Sequence, residues 1–354
     1  MKPRLEIHYT FADFYESIKA LFCKSPVAQE ETAFYCNHSR TALRIALSAL
    51  QLPANAKVGI MAFNCHTVMN AVSQAGYQIE FIDVTNDLRL DTDDLKQKAS
   101  SLSALVVTHL FGLQNDVNII RQICPQIPII EDCAHAYLSE LGGHQAGFLG
   151  DIATFSIGLA KFPSVGDGGY VRVNNLSYLS EIRSHYVTLQ VPTGFEEVKQ
   201  IVRGVAFGVV YWPALYAWIT LPLKRKKNAM LQVTEKEKET KMCRVNYARF
   251  MYQIASLPAT KERRLQRAIE LASTLHERYP TLVIPNLNGS NGFMLPALSD
   301  KRDSVMTAFA SQGIEVAPHF SNAIQWAQQF GYVLGSCKNA ELIVHQIILF
   351  PTYY

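Results

Sequence analysis

Polar residues that could do chemistry follow two of the buried, apolar runs of this chain. One run leads into Glu131-Asp132, and His135 comes three residues later. A second run leads into Ser156, and Lys161 follows in the weakly charged, apolar stretch 157–163. An ammonium group in such surroundings loses hydration, so its pKa falls and its amine becomes able to attack a carbonyl carbon. The pattern therefore predicts a lysine nucleophile near an acid at a neighbouring strand end.

A carboxylate at a neighbouring strand end would complement that lysine in pyridoxal phosphate chemistry. There it keeps the pyridine nitrogen protonated, so that the ring draws electrons from the reacting carbon. From the residues alone this is one candidate among several. Zinc is disfavoured because Cys65-His66 and Cys133-x-His135 lack the CxxC or HExxH spacing, and we expect no metal site. The chain has no GxSxG motif, so a serine hydrolase is unsupported.

The elements around these residues alternate between two periods. Short apolar runs alternate with segments of helical length, which predicts βαβ units and a mostly parallel sheet. Ligands of such sheets bind at the carboxyl ends of the strands, where the polar residues fall. The predicted strands are 58–62, 79–82, 104–107, 127–130, 153–157 and 169–173, and the predicted helices between them are 67–76, 92–101 and 116–124.

Composition and charge exclude several classes of protein. The 354 residues are 49% apolar and only 18% charged, which rules out disorder and coiled coils. A net charge of +3 is too small for a nucleic-acid partner. The seven scattered cysteines form no disulfide framework, and the N-terminus lacks an apolar signal region, so we expect a reducing, cytoplasmic compartment.

The chain divides into two predicted domains. Residues 1–240 form a large α/β domain, and residues 241–354 form a connecting helix and a smaller αβ domain. A polar helical region, 235–279, leads into the short αβ segment 280–354.

An apolar insert at about 204–227 is the least ordinary part of the sequence. Gly204–Leu223 contains no charged residue, and Lys224-Arg225-Lys226-Lys227 follows it. Twenty apolar residues could span a bilayer, but a crossing would separate residues 241–354 from Lys161. Pro213 favours two short helices. We expect a helical hairpin on the cytoplasmic leaflet, with a buried core helix or a subunit interface as the alternative.

Three motifs carry a family resemblance. They are THLFG at Thr108–Gly112, IIEDCAHA at Ile129–Ala136 and GDIATFSIGLAKFPSVGDGGYV at Gly150–Val171. Their order and spacing resemble those of the DegT/StrS-type sugar aminotransferases, which have the type I fold of aspartate aminotransferase. The resemblance extends more weakly through Asn246–Tyr279 and the C-terminal region.

The resemblance implies a role for each matching residue. Lys161 would attach pyridoxal 5′-phosphate covalently and later move a proton on the substrate carbon. Asp132 would pair with the pyridine nitrogen, and His135 would lie beside the ring. Ser156 would hold the cofactor phosphate, as would Asn246, which in this family reaches in from the neighbouring subunit.

Some positions depart from the family. Its phosphate-binding Gly-Thr pair is replaced by Ser39-Arg40, which at a helix start still suits an anion. The usual stacking aromatic is replaced by Cys65, so we assign stacking to His66. His319 is the predicted substrate contact.

The implied activity is amino transfer to a nucleotide-linked keto-sugar, with glutamate as donor, in a homodimer that supplies surface polysaccharide or lipopolysaccharide synthesis. The insert suggests contact with membrane lipid or a membrane glycosyltransferase. Three alternatives stay open: a related sugar dehydratase, a non-catalytic membrane-associated assembly protein, and a lipid-linked sugar substrate. Relatives that eliminate water replace the lysine with histidine, so Lys161 argues against the first.

Overall fold

The computed structural model describes residues 2–3, 9–23, 27, 30–212, 216 and 238–353. Helices and short strands alternate through the first half of these residues. The helices there are α1 (Phe11–Phe22), α2 (Ser39–Ala49), α3 (His66–Gln74), α4 (Thr92–Lys98), α5 (Val117–Ile123), α6 (Leu179–Val187) and α7 (Gly194–Val210). The strands are β1 (Ala33–Cys36), β2 (Lys57–Met61), β3 (Gln78–Ile82), β4 (Ala104–Thr108), β5 (Ile129–Asp132), β6 (Glu140–Leu141), β7 (His144–Gln145), β8 (Ile152–Ser156) and β9 (Gly169–Val173).

Seven of these strands form one sheet in the order β1-β9-β8-β5-β4-β2-β3. Strands β3, β2, β4, β5 and β8 pair in parallel, whereas β9 is antiparallel to both of its neighbours. Every residue of β4, β5 and β8 is buried, as expected for central strands covered on both faces. The predicted α/β fold with a mostly parallel sheet is confirmed.

The register of the central strands brings their polar ends side by side. Thr108 at the end of β4 pairs with Asp132 at the end of β5, and Asp132 pairs with Thr154 of β8. Helix α2 packs against β8 and β9, so its N-terminus lies at the same edge of the sheet. This edge therefore collects polar side chains from separate parts of the chain.

The C-terminal part contains longer helices and a small sheet. Its elements are α8 (Arg244–Gln253), α9 (Leu257–Arg278), β10 (Leu295–Leu298), α10 (Arg302–Ser311), α11 (Ala323–Gln328), α12 (Lys338–Gln346) and β11 (Ile347–Phe350). Strands β10 and β11 pair antiparallel over a core of their own that includes Leu275, Phe309 and Phe350. The division at residue 240 stays a prediction.

Two local expectations differ from the structure. Strand β1 was not predicted, because its four residues show no alternation of apolar and polar types. The polar helical region is interrupted: residues 238–243 are not helical, and a turn at Ile254–Ser256 separates α8 from α9. Pro258 lies in the first turn of α9, where its missing N–H is tolerated but from which α8 could not continue.

Helix α7 contains the first residues of the apolar insert. It runs from Gly194 to Val210 and packs against α1 and α8. The predicted break at Pro213 and most of the predicted hairpin lie outside the described residues. Among those that are described, none of the helices combines the length and the hydropathy needed to cross a bilayer.

Candidate active site

The polar edge of the sheet opens into a cavity of about 430 Å³. Seven of the residues predicted from the sequence line it together. They are Ser39, Arg40, Asp132, His135, Ser156, Lys161 and His319.

Asp132 is held at the end of β5 by a chain of polar side chains. Asn64 Nδ2 donates to Thr108 Oγ1 at 2.9 Å, and the Thr108 hydroxyl faces Asp132 Oδ2 at 3.4 Å. The backbone N–H of Ala134 donates to Asp132 Oδ1 at 3.1 Å. Asp132 is only 5% exposed, and this burial raises its pKa although Ala134 and Lys161 oppose the shift. The carboxyl group thus lines the cavity, where a cationic or N–H partner would stabilise its charged form.

Lys161 lies on the turn after β8, half-buried and facing the same cavity. Its backbone N–H is bound by the Gly158 carbonyl at 3.2 Å, and Ala160 has a φ of +64°. Loss of hydration lowers the pKa of Lys161, while Cys65 and Asp132 partly offset that effect. A larger fraction of this amine is therefore neutral than in an exposed lysine.

His135 lines the cavity and packs among aromatic rings. It stacks with Phe111, Phe293 and Phe320 at ring distances of 5.5, 5.2 and 6.1 Å. The backbone N–H of Phe111 donates to His135 Nδ1 at 3.2 Å, which places the proton of the neutral ring on Nε2. Burial, reinforced by Lys161 and His319, holds the pKa of His135 well below its usual range. His135 is thus a neutral, rigidly placed ring.

The opposite end of the cavity suits an anion. Helix α2 begins there at Ser39, and among the described side chains none caps its first N–H groups. Arg40 follows, and Ser156 is 8% exposed with its side chain on the cavity. A Cβ on Gly169 would lie 2.4 Å from the Ser39 backbone nitrogen, so glycine is required for this close approach. Helix start, guanidinium and hydroxyl together have the chemistry that a phosphate group needs.

Some cavity residues were not predicted from the sequence. Asp167 accepts bonds from Gln200 Nε2 at 2.8 Å and from the Arg203 guanidinium, and both donors come from α7. Burial, with Arg40 nearby, lowers the pKa of His38 to about 4. Only Asp167 carried a sequence signal, its position between the glycines of the Gly-Asp-Gly-Gly turn.

Two predicted residues do not line this cavity. The His66 ring packs edge-on against Trp326 at 5.0 Å, whereas the preceding Cys65 lines the cavity. His66 is the first residue of α3, and its Nδ1 lies 3.9 Å from the sulfur of Cys65. The assignment of ring stacking to His66 stays a prediction. Asn246, on α8, donates from Nδ2 to the Asp167 carbonyl of its own chain at 2.7 Å, and its buried Oδ1 finds no hydrogen-bond donor within the described part of the chain.

A second titratable cluster lies on the other side of β5. His109, Glu131 and Cys133 are buried, with potential metal-ligand atoms within 4.8 Å of one another. Glu131 already accepts from His109 Nε2 at 3.0 Å and from backbone N–H groups in residues 147–150. His109 Nδ1 accepts from the Asn115 backbone at 3.0 Å. Because these acceptors are occupied, the cluster is a structural network.

The cavity fits pyridoxal phosphate on its own features. A buried acid, a lysine with lowered pKa and a set of groups suited to an anion line one cavity, together with a neutral ring. These are the groups required by the pyridine nitrogen, the aldehyde and the phosphate.

Comparison with known proteins agrees with this geometry. Residues 25–354 match the model of the DegT/DnrJ/EryC1/StrS aminotransferase family. A GDP-perosamine synthase of Vibrio cholerae is 29% identical over 143 residues, which are 39% of this chain and 39% of that protein. The matched segment thus spans about two fifths of that relative.

Two solved structures are similar over nearly the whole chain. The PLP form of a putative sugar aminotransferase of Streptococcus pneumoniae has a TM-score of 0.75 at 15% identity, covering 99% of this chain and 93% of that one. An E. coli GDP-4-keto-6-deoxy-D-mannose-3-dehydratase with hydrated PLP has a TM-score of 0.76 at 17% identity, covering 99% and 95%. At these identities the likeness establishes the fold.

Proposed function

The chain belongs to the DegT/DnrJ/EryC1/StrS aminotransferase family, and from that premise we propose that it transfers an amino group from glutamate to a keto-sugar carried on a nucleotide. Its cofactor would be pyridoxal 5′-phosphate. The observation that carries the proposal is the meeting of Lys161 and Asp132 in one enclosed cavity, each with its pKa shifted by burial. The nucleotide carrier is supported by the GDP-linked names of two similar proteins.

The chain's own residues would divide the work as follows. When bound, the cofactor supplies an electron sink next to the reacting carbon. Asp132 holds a proton on the ring nitrogen, aided by Asn64 and Thr108 behind it. Lys161 would hold the cofactor through Nζ, and its free amine would move a proton to or from the substrate carbon.

The remaining residues bind and orient. Ser39, Arg40 and Ser156 would hold the cofactor phosphate, and the neutral His135 would lie beside the ring. His319, which is 5.6 Å from the Phe111 ring, contacts the sugar. Cys65 takes the position of the stacking aromatic, and the enclosing walls keep water from the reacting carbon.

Spectroscopy with chemical trapping tests this function. The purified protein with pyridoxal phosphate should develop an absorption band, and borohydride should fix the cofactor to a peptide containing Lys161. Lys161→Ala should abolish that adduct. Lys96→Ala is the matched control, because Lys96 is exposed and pairs with Asp93 at 2.8 Å. A wild-type protein without an adduct would favour the non-catalytic assembly protein.

A substrate panel then separates amino transfer from dehydration. Nucleotide-linked keto-sugars are incubated with the loaded protein and glutamate, and amino-sugar and 2-oxoglutarate are measured together. Equal amounts of both products support the proposal. A deoxy-keto-sugar formed with release of ammonia, in place of an amino-sugar, would identify a dehydratase, against which the lysine at 161 argues. Activity only on lipid-linked sugars would show that the substrate is carried on a lipid and not on a nucleotide.

Assembly and location complete the proposal. A homodimer would place Asn246 of one subunit at the phosphate held by the other. The seven cysteines are free thiols and five of them are buried, which suits a reducing cytoplasm. The product would pass to surface polysaccharide or lipopolysaccharide synthesis through a membrane glycosyltransferase.

A further inference from the structure

We propose that helices α1 and α7 form a surface that binds a membrane containing anionic lipid. This goes beyond the proposed function, because amino transfer to a nucleotide-linked sugar needs no lipid. The surface is called the α1–α7 face below and consists of the ten exposed apolar residues named in the next two paragraphs.

Helix α7 carries a regular apolar stripe that solvent reaches. Its members are separated alternately by three and four residues, so they share one side of the helix. Each is between 45% and 78% exposed, although large apolar side chains in a monomeric protein are mostly buried. The residues are Phe195, Val198, Val202, Val205 and Val209 of the helix, followed by Trp212 two residues beyond its end.

Helix α1 adds a second stripe beside the first. Its exposed residues are spaced by four, three and four positions and are 46% to 96% exposed; they are Phe11, Tyr15, Ile18 and Phe22. The two helices approach closely at Gly204, where a Cβ would lie 3.5 Å from the Phe14 ring. An apolar area of this extent on adjoining helices is typical of a surface that another phase or molecule covers.

The acidic side chains of α1 and α7 are engaged within the protein, which limits their repulsion of an anionic partner. The two acids of α1 are engaged: Asp13 caps the helix and accepts from Gln253 at 2.8 Å, and Glu16 pairs with Lys19 at 3.7 Å. The two acids of α7 are engaged as well. Glu196 pairs with Lys238 at 2.8 Å, and Glu197 accepts from the Arg244 backbone at 2.9 Å. All four acidic side chains are thus partnered within the protein.

The sequence that follows α7 continues the same character. Residues 213–223 contain no charged side chain, and Lys224-Arg225-Lys226-Lys227 comes next. Basic residues near an anionic leaflet are attracted to its negative surface charge. In a contact between two copies of the chain, these clusters would repel each other if they met. The combination of apolar stripes with a basic cluster therefore favours lipid over a second copy.

A membrane on this face would lie close to the cavity. Arg203 belongs to the same helix as the stripe, yet its guanidinium lines the cavity and bonds Asp167. Membrane binding would thus hold the active site near the leaflet where membrane glycosyltransferases receive their substrates.

Vesicle sedimentation of the full-length protein tests this inference. Wild type should sediment with vesicles of phosphatidylcholine and phosphatidylglycerol, and less with phosphatidylcholine alone. Val202→Glu with Val209→Glu should lower the bound fraction about tenfold or more, since two side chains lose their apolar burial. Val333→Glu with Leu334→Glu is the matched control, because these residues are 70% and 63% exposed outside the α1–α7 face. The control should bind as wild type.

A second variant addresses the charge. Replacing residues 224–227 by glutamine should weaken binding to the phosphatidylglycerol vesicles, as should added salt. The inference is overturned if the wild-type protein does not sediment with these vesicles. It is overturned equally if V202E/V209E sediments with them to the same extent as wild type. It is also overturned if V202E/V209E splits a dimer in light scattering without changing vesicle binding. The Lys161 adduct should form in every variant, so a negative vesicle result leaves the proposed function standing.

Discussion

Lys161 and Asp132 carry pKa shifts of opposite sign that have the same main cause. Burial penalises whichever form is charged, so it lowers the pKa of the amine and raises the pKa of the carboxyl group. Each group partly stabilises the charged form of the other across the cavity. Burial and mutual attraction therefore shift the pKa of each group in opposite directions, and burial is the larger effect.

This pairing predicts how cofactor attachment depends on pH. Only the neutral amine attacks a carbonyl, so the rate of adduct formation should rise with pH and level off below 10.5, the ordinary pKa of lysine. Asp132→Asn removes a negative charge that raises the pKa of Lys161. In this variant the midpoint of the rate-against-pH curve should therefore move to lower pH. Stopped-flow absorbance across a pH series measures both. A wild-type midpoint at or above 10.5 would contradict the prediction.

Arg40 predicts a phosphate-specific loss of affinity. Arg40→Ala should weaken binding of pyridoxal phosphate roughly ten- to hundredfold, the range of a lost charged hydrogen bond. Binding of pyridoxal, which lacks the phosphate, should change little. Equilibrium titration with both compounds supplies the measurement, and Arg183→Ala on α6 is the control. Equal losses for both compounds would show that Arg40 acts on the fold instead.

Among single residues, the sequence predicts the acids, bases and hydroxyls that directly follow a strand. The reason is that the carboxyl ends of parallel strands meet at the same edge of the sheet. Asp132, Ser156 and Lys161 were predictable for that reason. Arg203 was not, since α7 reaches the cavity from a segment with no strand pattern. The choice between Cys65 and His66 depends on the exact start of α3, which sequence patterns place less accurately.

Among the elements, the approach of α2 to β9 controls the phosphate site. Gly169→Ala would put a Cβ 2.4 Å from the Ser39 nitrogen, and backbone must move to relieve it. We expect a stability loss of about 1–3 kcal/mol and weaker cofactor binding. Urea unfolding and cofactor titration report the two effects.

Gly208→Ala provides the comparison for that variant. Outside helix α7 itself, no described atom lies within 4 Å of the place that the added methyl group would take, so stability should stay the same or rise slightly. If the two alanine variants have similar free energies of unfolding, then α2 can move away from β9 without a measurable loss of stability.

The parallel elements were predictable because their strands are continuous apolar runs separated by helical periods. Strand β1 and the antiparallel direction of β9 were not, since both depend on pairing between distant segments. The break between α8 and α9 had a local signal in Pro258, which the polar composition of that region obscured.

For the whole molecule, mixing two inactive variants tests the proposed dimer. Lys161→Ala and Asn246→Ala should each be inactive or nearly so as homodimers. If Asn246 acts across the interface, one site of every mixed dimer regains both intact residues. Random re-pairing should then restore up to about a quarter of wild-type activity. No recovery, with mixed dimers confirmed by mass spectrometry, would place Asn246 in its own subunit's site.

Strand β5 ends in two consecutive acids that face opposite sides of the sheet. Glu131 is held by His109 and by backbone donors, whereas Asp132 opens on the cavity. Natural selection can therefore act on the two neighbours separately. A related protein that no longer catalyses the reaction could lose Asp132 while still needing Glu131 to fold. Among inactive relatives we therefore expect substitutions at position 132 before substitutions at position 131.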